Sequence, residues 1–458
     1  YRGIKSRSED PKDQYWFREG YKVKDYEDRR LEYDIAVSEG DNIALDDDLK
    51  NFEAECWDRR LNGMWFMNNG VPTYITGLHY YLLEWHFLGI PINNGYGLYR
   101  DSDRKFYYFL ENTIYNPSCY GVLYVTKRRE GKTAKSSSFI LDLPTRSFYK
   151  NGGIQSKTSE DASKIVYMAT VVRAFDKLPS FFKPVYDLSG GNKPKSGLKF
   201  IKTSVRGKGS KNKEYRKKKE LGGSIEWRSS KAVAFDGSIL HRYVGDEVFK
   251  TVDVDIVDRH EVVKYCLTDG ETGLPLGKAL YTSTVEEMEG RIEEYRKFWI
   301  DSDQSVLKEE GKSQTPTGLF RYFLPADEAR NRDKYGMVDV EANRKVIMDR
   351  RSELSKYPKK LQSFIRKEPL TWHEAFRYTG DNSTYDNILI HKQIDAIAVI
   401  EKDLWMVGDF VADPSSGVVS FQEKSNGKFR LLKSYYENPL SNNGKPTNNW
   451  FTIGVSVM

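Results

Sequence analysis

The stretch from Gly121 to Thr133 constrains this chain more than any other. GVLYV (residues 121–125) is a short β-rich run, a polar loop from Thr126 to Gly131 follows, and a helical run extends from Lys132 to about Leu143. Strand, phosphate-sized loop and helix, in that order, open a βαβ unit. The loop matches the pattern G-x-x-x-x-G-K-[ST] at Gly131, Lys132 and Thr133, while Thr126 stands where the first glycine is usual. Phosphate binding of this kind needs backbone N–H groups curled at a helix N-terminus, whose dipole favours anions. Gly131 permits close backbone approach, Lys132 would reach the β- and γ-phosphates, and Thr133 would offer a hydroxyl to Mg2+. The candidate nucleotide contacts are Thr126, Lys127, Arg128, Arg129, Glu130, Gly131, Lys132, Thr133 and Ala134. Arg128 and Arg129 read either as an exposed basic pair or as the source of an arginine finger acting in cis on the γ-phosphate.

Further units repeat the alternation. Gly153-Ile-Gln-Ser156 reads as a strand and Ser159 to Leu178 as a long helix with acids in its first turn. Leu240 to Val244 is a strand that runs into Asp246-Glu247. Gly277 to Thr284 (GKALYTST) is another, followed by an acidic helix from about Val285 to Ile300. Strands alternating with helices predict an α/β fold with a mainly parallel sheet flanked by helices. Successive side chains on a strand point to opposite faces, so two adjacent acids can hold two posts. Asp246 is the candidate Mg2+ ligand, and Glu247 the candidate base that orients and polarises an attacking water. Thr282-Ser283-Thr284 could be a turn or helix N-cap, or could sense the γ-phosphate and relay its loss.

Composition sets the outer bounds. Apolar residues make up 39% of the 458, with 30 Tyr, 23 Phe and 9 Trp, which is ample for a packed core. The net charge of +6 fits a nucleic-acid partner and equally fits many enzymes. Cys56, Cys119 and Cys266 are scattered, with no CxxC or Cys/His cluster, and read as free thiols of a reducing compartment. No apolar run is long enough for a membrane span, and Tyr1 opens a polar segment rather than a signal peptide; a short leader is expected to precede it.

The flanks divide as follows. Residues 1–50 are a charged arm. Residues 51–325 are expected to form the P-loop domain, with an aromatic and helical lead-in from Phe52 and its core at 121–300. Within the lead-in Arg100 to Asn112 reads as an amphipathic helix. Residues 326–445 are an α+β linker, with a helical stretch from Asp339 to Lys367, a hairpin-like segment from Val418 to Leu432 and turn-rich Asn438 to Asn449. Residues 446–458 are expected to be the first strand of a further, truncated domain. Between the core units, Arg206 to Glu220 carries eight Lys/Arg and is either a solvated loop or a surface that neutralises DNA phosphates.

The loop TKRREGKT, the strand ending in GDE and the downstream TST together resemble the motifs of large terminase subunits of tailed double-stranded DNA phages, a family that often has a polar residue for the first loop glycine and an Arg at the position of Arg128. The segments GVPTYITGLHYYLLEW, GLYRDSDRKFYYF, GGIQSKTSEDASK, LPSFFKPVYD, TGLFRYFLPADEA and KYGMVDVEANRK resemble the version in crAss-like phages of Bacteroides-type hosts. The resemblance runs from about Gly63 to the end. It implies a P-loop NTPase of the additional-strand, catalytic-glutamate class, with ATP and Mg2+ as ligands. It implies an ATPase that moves double-stranded DNA into a procapsid in the host cytoplasm. The portal protein, a small terminase subunit and a pentameric ring of copies are the implied partners, and no membrane is implied. Thr282, Ser283 and Thr284 match the coupling motif, and Tyr74, Tyr80 and Arg100 fall where the family contacts adenine. Large terminases also carry a nuclease domain whose first strand ends in a metal-binding Asp, within something like IGVDP; this sequence reads Phe451-Thr-Ile-Gly-Val455-Ser456, so no nuclease activity is expected of it. A helicase-like P-loop motor and a degenerate P-loop scaffold or portal adaptor are the alternatives.

Overall fold

The computed structural model describes residues 5–6, 23–39, 41, 43–91, 95–187, 194–200, 220–251, 254–285, 291–307, 313–377, 389–390, 393, 397, 405–417, 419–424 and 427–432. They divide into two compact units, one within 1–378 and one within 379–458. The basic stretch 206–219 and residues 433–458 lie outside the described residues.

The first unit opens with a lead-in. Strand β1 (Lys5–Ser6), helices α1 (Val23–Glu39) and α2 (Asp47–Asn62), the β2 (Met64–Asn68) and β3 (Val71–Ile75) hairpin, and helices α3 (Gly77–Glu84) and α4 (Asp101–Tyr115) follow in order. β1 pairs parallel to β2, and β2 antiparallel to β3. Side-chain caps start the helices: Asp46 accepts from the Asp48 amide at α2, and Thr76 from the His79 amide at α3.

The core follows. It comprises β4 (Gly121–Thr126), α5 (Lys132–Asp142) and β5 (Asn151–Gln155), then a π-helical run Asp161–Val172 leading into α6 (Arg173–Asp176). β6 (Gly197–Lys199), β7 (Ser224–Trp227), β8 (Arg242–Asp246), α7 (Ile256–Cys266), β9 (Lys278–Ser283), α8 (Ile292–Ile300) and β10 (Leu319–Leu324) complete it. The seven strands lie in the order β10-β4-β9-β8-β5-β7-β6. Every pair is parallel except β6 with β7. The sheet splits the core in two. Val122 and Tyr124 of β4 join Phe139, Ile140 and Val244 on one face, while Leu123 and Val125 join Tyr243, Tyr281 and Trp299 on the other. That is the two-residue alternation of a strand buried on both faces. Helices α9 (Val340–Leu354), α10 (Pro358–Lys367) and α11 (Trp372–Ala375) close the unit.

The mainly parallel α/β sheet expected from the sequence is present, and its order adds a specific feature. β9 lies between β4, which carries the phosphate loop, and β8, which carries the acids. A strand inserted at this place is what the additional-strand class, implied by the sequence resemblance, requires. The long helix expected over 159–178 is π-helical for most of its length. The helix after Thr284 is described only from Ile292.

The lead-in is fastened to α5 through polar side chains on a buried helix face. Ser137 Oγ pairs with His86 Nε2 at 2.8 Å, Ser138 Oγ with Tyr107 Oη at 2.9 Å, and Lys135 Nζ with Asp103 Oδ1 at 2.8 Å. The three cysteines are free and buried. Among the described residues no helix is long and apolar enough to cross a membrane. In the second unit β11 (Trp405–Ala412) lies between β12 (Val419–Glu423) and β13 (Phe429–Leu432), antiparallel to both. The expected hairpin over 418–432 is therefore two strands that flank a third.

Candidate active site

The phosphate loop leaves β4 without a first glycine because that position is still strand. Thr126 pairs with Leu324 of β10, and its hydroxyl donates to the Leu324 carbonyl at 3.0 Å. The turn comes later, where Arg129 (φ 62°) and Gly131 (φ 72°) adopt the left-handed conformation. Gly131 then provides the N-cap of α5, with no side-chain cap bond, so the first amides of the helix remain available to an anion. Lys132 is buried, and its Nζ donates to the Lys127 carbonyl at 3.2 Å. Thr133 is half-buried on the first turn, and Arg128 and Arg129 are exposed at the crest of the loop.

The inserted strand brings the acids to this loop. Asp246 lies opposite Thr282 in the β8–β9 register, and Val125 lies opposite Ser283 in the β4–β9 register. Thr282 Oγ1 donates to Asp246 Oδ1 at 3.1 Å. The Thr284 amide and hydroxyl donate to Glu247 Oε2 at 3.2 and 3.3 Å. Ser283 Oγ accepts from the Phe249 amide at 3.1 Å, so each of the three small residues reaches the acid-bearing segment. Glu247 sits just past β8 with φ 51° and ψ 44°. A left-handed conformation is costly for a glutamate, and such strain gathers at functional positions. Its Oε1 lies 3.9 Å from Lys132 Nζ, and its Oε2 lies 2.8 Å from Lys250 Nζ.

The two acids have opposite environments. Burial, and next the Glu247 charge, push the Asp246 carboxyl up to about 6. Burial also acts to raise Glu247, but the Lys132 and Lys250 ammoniums outweigh it and hold that carboxyl below its usual range. Burial lowers the Lys132 ammonium to about 8, against the pull of Glu247.

The donor set suits Mg2+ held together with phosphate oxygens. Asp246 is buried, takes hydroxyl donors from Thr282 and from Ser156 (3.4 Å), and forms no ion pair among the described residues. A buried carboxylate that no ion pair engages is a fitting ligand for a hard cation. Among the described residues no group of three or more His, Cys, Asp or Glu could hold a metal alone, so the remaining ligands would come from phosphate and water.

Gly131 also borders a cleft with an empty volume of about 520 Å³, lined by Leu82, Leu88, Ile90, Leu98, Arg100 and Ala134 among others. Of the three residues implied as adenine contacts only Arg100 lines it. Tyr80 is 2% exposed, with its hydroxyl accepting from Trp85 Nε1, and is a core ring. Tyr74 stacks on Tyr108 and donates to the Asn62 carbonyl. Ser156 and Lys250, which touch the acids, carry no motif of their own. The one available signal for Ser156 is a hydroxyl at the end of a predicted strand of a parallel sheet.

No protein-family model and no curated protein matches the sequence. Solved structures do. The large terminase ATPase domain of Thermus phage P74-26 is similar at 17% identity over 57% of this chain and 91% of that one, with a TM-score of 0.35. The HK97 bacteriophage large terminase is similar at 12% identity over 64% of this chain and 54% of that one, with a TM-score of 0.39. A large terminase from a thermophilic bacteriophage, in complex with ADP, is similar at 16% identity over 50% of this chain and 45% of that one, with a TM-score of 0.29. Likenesses at these identities and scores do not assign the chain to a family.

Proposed function

We propose that this chain is an ATP-hydrolysing motor subunit, the ATPase part of a large terminase that moves double-stranded DNA into a procapsid. The observation that carries the hydrolysis reading is the placement of Lys132 Nζ 3.9 Å from Glu247 Oε1, with Asp246 on the strand that ends beside them. In this reading the loop 126–134 holds the polyphosphate, and the apolar cleft beside Gly131 and Ala134 takes the base. Lys132 pairs with the β- and γ-phosphate oxygens once nucleotide displaces it from Glu247. Glu247, still paired with Lys250 and so kept ionised, accepts a proton from the attacking water. Asp246 and Thr133 would hold Mg2+, which when bound neutralises charge on the phosphate oxygens. Arg128, exposed on the crest, is the candidate finger for the γ-phosphate. Thr282, Ser283 and Thr284 would relay the loss of that phosphate, since their bonds to Asp246 and Glu247 change when the acids change partners. Double-stranded DNA, a portal, a small terminase subunit and a ring of copies are the partners this role requires.

ATP binding and turnover by the wild type, Lys132→Ala and Glu247→Gln test it. Lys132→Ala should lose both. Glu247→Gln should keep binding while turnover falls by about 10²- to 10⁴-fold, the usual contribution of a positioned base. Turnover that survives both changes removes the assigned roles. A chain that turns over ATP and separates strands, but does not fill proheads, is a helicase-like motor instead.

A further inference from the structure

Glu130 is the one acid of the phosphate loop, and it does not face solvent: it is 1% exposed. The left-handed residues Arg129 and Gly131 flank it. Both of its ends are gripped. Its carbonyl accepts from Lys135 Nζ at 2.7 Å. Its Oε1 accepts from Arg332 Nη2 at 2.5 Å and lies 3.7 Å from Arg100 Nη1. Arg332 Nη2 also donates to Ser102 Oγ at 3.2 Å.

Arg332 belongs to neither the sheet nor the helices that build the site. It opens a turn over residues 332–338 that is closed by a bridge between Arg332 and Val338. Asp333 Oδ1 accepts from the Tyr335 and Met337 amides within that turn. The turn docks on the lead-in through Asp101 N–H to the Gly336 carbonyl (3.0 Å) and Asn68 Nδ2 to the Tyr335 carbonyl (3.1 Å). Asp339 follows and caps α9.

A buried carboxylate in a loop that must receive a polyphosphate repels its ligand unless the charge is neutralised. Removing one partner of a buried pair also costs more than removing both. We propose that Arg332 is a positioning residue for the phosphate loop: it neutralises and holds Glu130, so that the loop is set for a nucleotide polyphosphate, and it joins the loop to the turn that leads into α9. This rests on the nucleotide reading above.

The test uses the full chain and measures Mg-ATP binding and steady-state turnover, with far-UV circular dichroism as the folding check. Arg332→Met should weaken ATP binding about tenfold, raising KM with far less change in kcat. Arg332→Lys, which keeps the charge, should recover part of that loss. Adding Glu130→Gln to Arg332→Met should return binding to within about threefold of wild type, because the carboxylate that lost its nearer arginine is gone. If Arg332→Met alone does not fold, the double variant decides: folded with near-wild-type binding supports the proposal, and folded with weak binding overturns it. Unchanged binding in Arg332→Met, or a loss confined to kcat, also overturns it while wild-type binding leaves the nucleotide reading standing. Absence of ATP binding by the wild type overturns both.

Discussion

Asp246 and Glu247 are neighbours in the chain with opposite protonation tendencies, and this has a measurable effect on stability. The folded Asp246 carboxyl is held near 6, above its ordinary 3.8. A raised acid favours the fold while it is protonated, so its contribution is present below pH about 4 and is lost as pH rises through about 6. At pH 7 the buried ionised group then costs on the order of 3 kcal/mol. Asp246→Asn should therefore raise the thermal midpoint of the nucleotide-free, metal-free protein at pH 7, with the gain shrinking toward pH 4, while abolishing turnover. An equal or lower midpoint at pH 7 would contradict the buried-charge account. Glu247 runs the other way: its folded value is depressed, so its contribution is present above about 4.5 and is lost as pH falls through the folded value. The GKT and DE groups were readable from sequence because their chemistry needs fixed residue types at adjacent positions. Ser156, Lys250 and Arg332 were not, because they meet the site only through strand order and a distant turn.

At the scale of elements, β9 is what turns two separate motifs into a site. It pairs with β4 on one side and β8 on the other, so its terminal hydroxyls fall between loop and acids. The alternation of strands and helices was legible, because buried parallel strands are short apolar runs between helical stretches. The strand order was not, since nothing local to KALYTS says which two strands it separates. β7 and β10 escaped notice for a related reason: β7 is four residues long with only Ile225 buried, and β10 is only partly buried along its middle, which blurs the apolar pattern. The close approach of β4 and β9 gives a direct test. Gly121 has φ 150°, and a Cβ there would lie 1.9 Å from the Ala279 carbonyl oxygen. Gly121→Ala must push the two strands apart, and a loss of about 3 kcal/mol in denaturant unfolding is expected. Gly270→Ala, where a Cβ meets nothing within 4 Å, is the control and should be near neutral. Equal stability of the two variants would show that the β4–β9 contact is looser than described.

For the whole molecule, every group assigned to nucleotide chemistry lies in the unit within 1–378, and in the proposed role DNA would control turnover by acting on that unit. The chain carries a net charge of +6, and Arg206 to Glu220 alone contributes eight Lys/Arg. Contacts to duplex phosphates release counterions, so affinity falls steeply with salt, by roughly 10³- to 10⁵-fold between about 50 and 200 mM when six to ten phosphates are engaged. A motor that grips DNA should therefore show ATP turnover that rises with double-stranded DNA and loses the stimulation, but not the basal rate, as salt increases. Replacing the eight basic residues of 206–219 by Gln separates the two readings of that stretch. If it grips phosphates, stimulation falls and its salt dependence flattens while basal turnover holds. If it is a solvated loop, both are unchanged and the grip lies elsewhere. Stimulation by DNA that persists unchanged at high salt would rule out a phosphate-based grip on the duplex.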